Sequence, residues 1–201
     1  MNLENYYYYF QKAIPDRVCD EIIKYGKSIL KQRGVRGTVG RENKKLKDLK
    51  QIRDSNIAWL TDPWIYREIH PYVYEANKAA GWNFQWSHSE QAQFTTYKKE
   101  QHYGWHCDSW IKPYETNDVL NGKIRKLSVT LNLTDPKDYE GGDFEFDFRN
   151  VAEGNKTQIC KEVKPKGSIV VFPSFVWHRV KPVTKGIRYS LVMWNVGDPF
   201  K

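Results

Sequence analysis

The sequence predicts an α+β fold that is mainly β: an antiparallel sandwich or jelly roll with two N-terminal helices packed on the outside of one sheet. Three observations predict it. Two stretches before Gly81 carry apolar residues at helical spacing. After Gly81 the pattern changes to short β-type runs separated by turns, and helices followed by many strands belong to that architecture. Eight Trp, thirteen Tyr and nine Phe favour a packed β-rich body with aromatic-lined clefts over a charged helical bundle.

The first helix is expected from Asp16 to about Lys31. Val18, Ile22, Ile23, Ile29 and Leu30 recur there behind Pro15, with Ile14 placed to staple the entry. A second helix is expected from "TDPWIYREIH", where Asp62 caps and Pro63 takes the first helical position, to near Gly81. Pro71 should kink or split it. The strand candidates are "FQWSHSEQAQFTTY", "KLSVTLNLT", "GGDFEFDF", "GSIVVFPS" and "RYSLVMWNVG". "DFEFDF" alternates as a half-exposed strand does, whereas "SIVVF" and "SLVMW" are apolar on both faces and should lie between layers. Gly141 and Gly142 mark a turn. The chain reads as a single domain over 1–201, with 1–81 a helical support containing a basic mobile segment and 82–201 the jelly-roll core.

Composition narrows the function classes. The start "MNLENYYYYFQKAIPD" has no basic region leading into an apolar core, and no window is long and apolar enough for a membrane span, so a soluble chain is expected. Cys19, Cys107 and Cys160 are odd in number and far apart, which argues against a disulfide framework or a thiolate zinc site and for a cytoplasmic location. The net charge of +8 is concentrated: between Lys24 and Arg53, eleven Lys and Arg stand against Glu42 and Asp48. A general nucleic-acid surface would spread its charge, so the segment reads as a solvated loop or as one that holds an anionic or acidic partner.

"GWHCDSW" places His106 and Asp108 two residues apart, on one face if the stretch is a strand. Alone, these residues better describe a strand end with a packed His and a solvated Asp. "FPSFVWHRVKPVTKGIRYSLVMW" then adds His178 after an apolar strand and Arg188 at the head of the next. Two imidazoles and one carboxylate form a facial set that suits Fe(II) and leaves adjacent positions open. A guanidinium opening so apolar a strand is costly to bury without an anion. Ser190 lies on its face, so the pair could grip a carboxylate, the alternative being a structural ion pair to Arg188. His70, His88 and His102 read as structural or surface residues, and Cys107 should point away from its neighbours by alternation.

"WHCDSW", "DPKDYEGGDFEF" and "WHRVKPVTKGIRYSLVMW" resemble the Fe(II)- and 2-oxoglutarate-dependent dioxygenases, and within them the prolyl 4-hydroxylase-like branch. The resemblance covers about residues 90 to 200. It implies a double-stranded β-helix in which His106, Asp108 and His178 bind Fe(II) and Arg188 with Ser190 binds the far carboxylate of 2-oxoglutarate. It places Tyr97 near the cosubstrate and Trp194 near the metal as a substrate-binding residue. O2 would be the oxidant, succinate and CO2 the coproducts, and ascorbate a further requirement. Trp105, Trp110 and Trp177 could shield the metal or simply pack. The implied substrate is a prolyl residue in a peptide or protein, with the basic segment or "IKPYETNDVLNGKIRK" folding over it. Alternatives are a free amino acid or other small molecule, nucleic-acid dealkylation, and a jelly-roll binding module without metal. Dealkylating relatives carry R-x-N-x-x-x-R where this chain has Ser190 and Trp194, which disfavours nucleic acid. Halogenating relatives lack the carboxylate that Asp108 supplies.

Overall fold

A computed structural model of the chain describes residues 5–37, 51–109, 112–149, 154 and 156–200. It is mainly β, with two long helices laid against one sheet. In chain order the elements are β1 (Tyr8–Phe10), α1 (Asp16–Arg33), β2 (Val35–Arg36), β3 (Arg53–Asp54), β4 (Asn56–Leu60), α2 (Pro63–Ala79), β5 (His88–Ser89), β6 (Ala92–Tyr97), β7 (His102–His106) and β8 (Ile124–Asn132). They continue with β9 (Tyr139–Gly141), β10 (Phe144–Asp147), β11 (Thr157–Ile159), β12 (Ile169–Pro173), β13 (Trp177–Val180), β14 (Val183–Gly186) and β15 (Arg188–Gly197).

The larger sheet runs β1-β12-β8-β15-β6-β4-β2, with β5 paired to β15. The smaller runs β11-β10-β13-β7-β3, and β14 and β9 form a separate antiparallel pair. All register pairings within the sheets are antiparallel. Residues before Gly81 supply strands as well as helices, since β1 closes one flank of the larger sheet and β4 pairs with β6 on the other.

Each face of the larger sheet has its own core. Phe94, Val129, Leu131, Ile169, Leu191 and Met193 bury one face against Val18, Ile22 and Ile29 of α1 and Ile65, Ile69 and Val73 of α2. Helix α1 comes so close that a Cβ on Gly26 would lie 2.4 Å from the Phe94 ring. On the other face, Tyr97, Val170 and Phe172 meet Phe144, Phe146 and Val180 of the smaller sheet. The double-layered β body with helices outside thus agrees with the expectation.

Pro71 lies inside α2 without splitting it. Proline removes one helical donor and crowds the carbonyl four residues back. Here that carbonyl belongs to Arg67, and both residues sit on the exposed face, where water can take the freed acceptor.

Candidate active site

The first site residue lies on β7, and a bulge sets its direction. His106 pairs with His178 and Tyr103 with Val180, so β7 holds one residue more than β13 between the two pairs. In a regular strand, positions three apart face opposite ways. The extra residue brings Tyr103 and His106 to one side, and their rings stack with centroids 3.5 Å apart at 14°. The Gly104 carbonyl, inside the bulge, lies 2.8 Å from His106 Nδ1.

His178 is held the same way, with Nδ1 2.9 Å from the Val176 carbonyl. A carbonyl only accepts, so each Nδ1 carries the proton and each Nε2 keeps its lone pair free. Asp108 lies past the end of β7, so strand alternation does not orient it. Its backbone N–H and that of Ser109 both donate to the Ser174 carbonyl, at 2.8 and 2.9 Å, and this turn carries the carboxylate inward. Asp108 Oδ1 is 3.7 Å from His106 Nε2, and Oδ2 is 3.5 Å from His178 Nε2. The three donor atoms lie within 4.8 Å of one another and could hold a metal ion.

Neighbouring groups fix the protonation of this set. Burial pushes the Asp108 carboxyl up, but the His178 and His106 imidazoles and Arg125 outweigh it and hold it down to about 2. Burial, and then His178, lower His106 to about 3. A carboxylate and a neutral imidazole are the forms that bind metal. Ser128 Oγ donates to Asp108 Oδ2 at 2.7 Å and lies 2.9 Å from Ser174 Oγ. The Trp194 indole also helps lower Asp108, though loosely, since its buried Nε1 has no partner at hydrogen-bonding geometry.

Arg188 is 2% exposed, and its Nη1 is buried without a hydrogen-bond partner. No carboxylate pairs with it among the described residues, which leaves the structural ion pair without a partner. It lies across from Tyr97 in the β6/β15 register, with its guanidinium 5.7 Å from that ring's centroid. Burial raises the Tyr97 phenol pKa, so the hydroxyl stays a donor. Ser190 and Trp194 follow Arg188 at even spacing and line the same cavity as Tyr97, His106, Asp108 and His178. All seven site residues expected from the sequence therefore converge.

Of the two readings of the flanking tryptophans, shielding or packing, Trp105 and Trp177 take the packing one. Trp105 and Trp177 neighbour the histidines in sequence and so face outward; they lie beneath Arg179 and Arg149, at 4.5 and 4.3 Å, and do not line the cavity. Trp110, Ile111 and residues 38–50 of the basic segment lie outside the described residues. The other histidines take structural roles: His70 Nε2 meets Ser89 Oγ at 2.9 Å, His102 meets the carbonyls of Gln51 and Glu100, and His88 meets Ser87 Oγ.

The structure also adds residues. Tyr103 stacks on His106, and Arg53 lies 4.5 Å over the Tyr103 ring. Arg125 is clamped by both Glu90 oxygens at 2.7 and 2.6 Å and sits 3.9 Å over the Trp194 ring. The signal for Arg125 was weaker than that for Arg188: a basic residue near the head of "IRKLSVTLN", where Leu127, Val129 and Leu131 alternate with polar residues. No sequence pattern marks Tyr103, because its direction depends on the bulge.

A profile of the 2OG-Fe(II) oxygenase superfamily matches residues 92–196. The chain belongs to this superfamily. The PKHD-type hydroxylase YbiX of Escherichia coli O6:K15:H31 (strain 536 / UPEC) is 34% identical over 102 residues, covering 50% of this chain and 40% of that protein. YbiX of Escherichia fergusonii matches to the same extent. The chain thus spans about two fifths of the length of the curated relatives it matches.

Among solved structures, this oxygenase resembles a viral collagen prolyl hydroxylase from Paramecium bursaria Chlorella virus-1, solved as a 2OG complex. The TM-score is 0.64 at 20% identity, covering 96% of this chain and 97% of that one. A Pseudomonas putida prolyl-4-hydroxylase gives 0.65 at 18%, covering 96% and 92%. A Trichoplax adhaerens prolyl hydroxylase, solved with a hypoxia inducible factor peptide fragment, gives 0.65 at 17%, covering 96% and 84%. These likenesses show the fold, the jelly roll of the 2OG oxygenases. The family implies Fe(II), 2-oxoglutarate and O2, and the residues of the site suit them chemically. Its histidine and carboxylate donors suit Fe(II), and Arg188 Nη1 is an orphan donor that a carboxylate would satisfy.

Proposed function

We propose that this oxygenase is a dioxygenase that hydroxylates a prolyl residue in a peptide or protein, with 2-oxoglutarate oxidised to succinate and CO2. One observation carries the reading: a His, Asp and His set shares a cavity with a buried arginine that no carboxylate neutralises among the described residues. Fe(II) held by His106, Asp108 and His178 would supply the O2 activation and the oxidation of the substrate C–H bond.

The chain's own groups do the rest. Arg188 holds the distal carboxylate of 2-oxoglutarate by charge-assisted bonds, and Ser190 adds a hydroxyl from the same strand face. Tyr97 borders the same space as a neutral donor. Fixing both ends of the cosubstrate sets its orientation before reaction. The bonds from Nδ1 to the Gly104 and Val176 carbonyls keep both imidazoles in the ligating tautomer, and Ser128 steadies the Asp108 carboxylate. Trp194, backed by Arg125, walls the cavity and contacts substrate. Ascorbate would serve as an added reductant.

The prolyl assignment is supported by the fold likeness to prolyl hydroxylases, one of them holding a peptide. The basic segment before β3 is suited to an acidic stretch of such a partner. The test is succinate release with Fe(II), ascorbate and 2-oxoglutarate across a library of proline-containing peptides, beside a panel of free amino acids. Peptide-dependent succinate with a mass gain of one oxygen on proline is the expected result. His106→Ala and Asp108→Ala should each abolish it, and full turnover in either would remove that residue from the metal site. Oxidation confined to a free amino acid would replace the peptide reading with the small-molecule one.

A further inference from the structure

Arg188 forms part of the wall of two cavities. The second, about 430 Å3 and open to the surface, lies on the other side of Phe144 and the arginine from the metal set. Its wall is chiefly apolar, from Tyr139, Phe144, Ile159 and Val163, while its charged groups among the described residues are Lys161, Lys164 and Arg188 against Asp143.

We propose that this cavity binds an organic carboxylate with an aromatic or branched apolar body, and that its occupant shares Arg188 with the 2-oxoglutarate site. The charge excess is available to a ligand. Lys164 Nζ donates to the Gly141 carbonyl and Asp143 Oδ1, both at 3.1 Å, which leaves one of its three donors. Lys161 is exposed and has no ion pair among the described residues. Arg188 is buried, with no carboxylate paired to it among the described residues, so its field reaches both spaces through little intervening solvent.

Gly142 explains why the cavity extends to the arginine. At φ 61° a Cβ there would stand 3.1 Å from Arg188 Cδ and 3.0 Å from Val183 Cγ2, so any other residue would wedge between the cavity and the arginine stem. An apolar wall with cations at its edge selects an amphiphilic carboxylate over inorganic phosphate, which would leave that wall wet. Two carboxylates flanking one guanidinium repel each other. Occupation of either cavity should therefore weaken binding in the other by the same factor.

The coupling rests on the 2-oxoglutarate reading, but binding to the second cavity does not. Phenylacetate would be titrated calorimetrically into metal-free protein, with phenylacetamide as the uncharged control. Phenylacetate should bind at least tenfold more tightly than the amide. Ile159→Trp, at a position 41% exposed, should fill the cavity and remove the binding, and Lys161→Gln should weaken it several-fold. Equal binding of acid and amide, or binding unchanged in Ile159→Trp, would overturn the site. In an anaerobic Fe(II) titration, saturating phenylacetate should weaken 2-oxoglutarate three- to tenfold, and an unchanged affinity would overturn the shared arginine. Failure of 2-oxoglutarate to bind even without phenylacetate would instead defeat the functional reading and leave the second site standing.

Discussion

Replacing Arg188 by Met separates a ligand anchor from a structural ion pair, because the two roles predict opposite changes in stability. A structural arginine, removed from a buried pair, would cost about 3–5 kcal/mol by stranding its partner's charge. Arg188 has no such partner among the described residues, its Nη1 is already unsatisfied, and the side chain is 2% exposed. Exchanging an unpaired buried guanidinium for an apolar chain of similar length should be neutral or should stabilise the metal-free protein, by up to about 4 kcal/mol. On the proposed reading, the same change removes the cation that would hold the cosubstrate. Truncating one member of a desolvated charge pair costs about 2–5 kcal/mol in binding, or roughly 30- to 5,000-fold in Kd. Urea unfolding of the metal-free protein and calorimetry of 2-oxoglutarate with Fe(II) under anaerobic conditions measure the two halves. A variant that unfolds about 3 kcal/mol more easily yet binds 2-oxoglutarate normally would refute the anchoring role.

Ser128→Ala removes the hydroxyl that bonds Asp108 Oδ2 at 2.7 Å, and Fe(II) affinity should fall about 10- to 100-fold with the fold retained. Metal titration followed by circular dichroism checks both parts, and Ser128→Thr should recover affinity if the hydroxyl is what matters. Gly26→Ala pushes a methyl to within 2.4 Å of the Phe94 ring, so α1 must shift off the sheet. The expected net loss is about 1–3 kcal/mol in urea unfolding despite alanine's better helix propensity, and no loss would mean that the contact relaxes freely. Burial lowers the His70 pKa, so below about 6.5 the unfolded chain binds more protons than the folded one, and stability rises with pH across that window and falls on acidification. His70→Gln, still able to reach Ser89, should flatten the slope by at most about 1.4 kcal/mol per pH unit relative to the parent chain between pH 5 and 7.5.

What the sequence made legible follows physical signal strength. β8 and β15 are long, at nine and ten residues, and β12 is short but uninterruptedly apolar up to its Pro, so each appears within the stretch that reads as a strand. β1 is three residues and β4 five, the latter pressed between β3 and the cap of α2, and such segments are too short to show a period. The His106, Asp108 and His178 cluster was legible because histidine and aspartate are chemically rare in apolar strands, even though Asp108 lies past the strand that was to orient it. Its carboxylate reaches the others through a turn tied to Ser174, a long-range contact that local spacing does not encode. Tyr103 was invisible for the related reason that one inserted residue reverses its side. Trp105 and Trp177 show the converse, because a residue next to His106 or His178 in a strand faces away from the cavity.

Strand β15 shows why fold and site are one constraint. Tyr189, Leu191 and Met193 face the helices and pack in the larger core, while Arg188, Ser190 and Trp194 face the cavity. Slipping the strand by one residue would exchange these sets, placing the guanidinium against Phe94 and α1 and Ile187 at the cavity position that Arg188 holds. The apolar cost of that error, spread over several core side chains, is what holds Arg188 opposite Tyr97. The helices contribute to the chemistry through this register alone, since none of their residues lines the cavity. On the facing sheet, β7 needs a bulge because no regular register could turn both Tyr103 and His106 inward. A regular strand thus suffices where the site residues alternate, and an inserted residue is required where they do not.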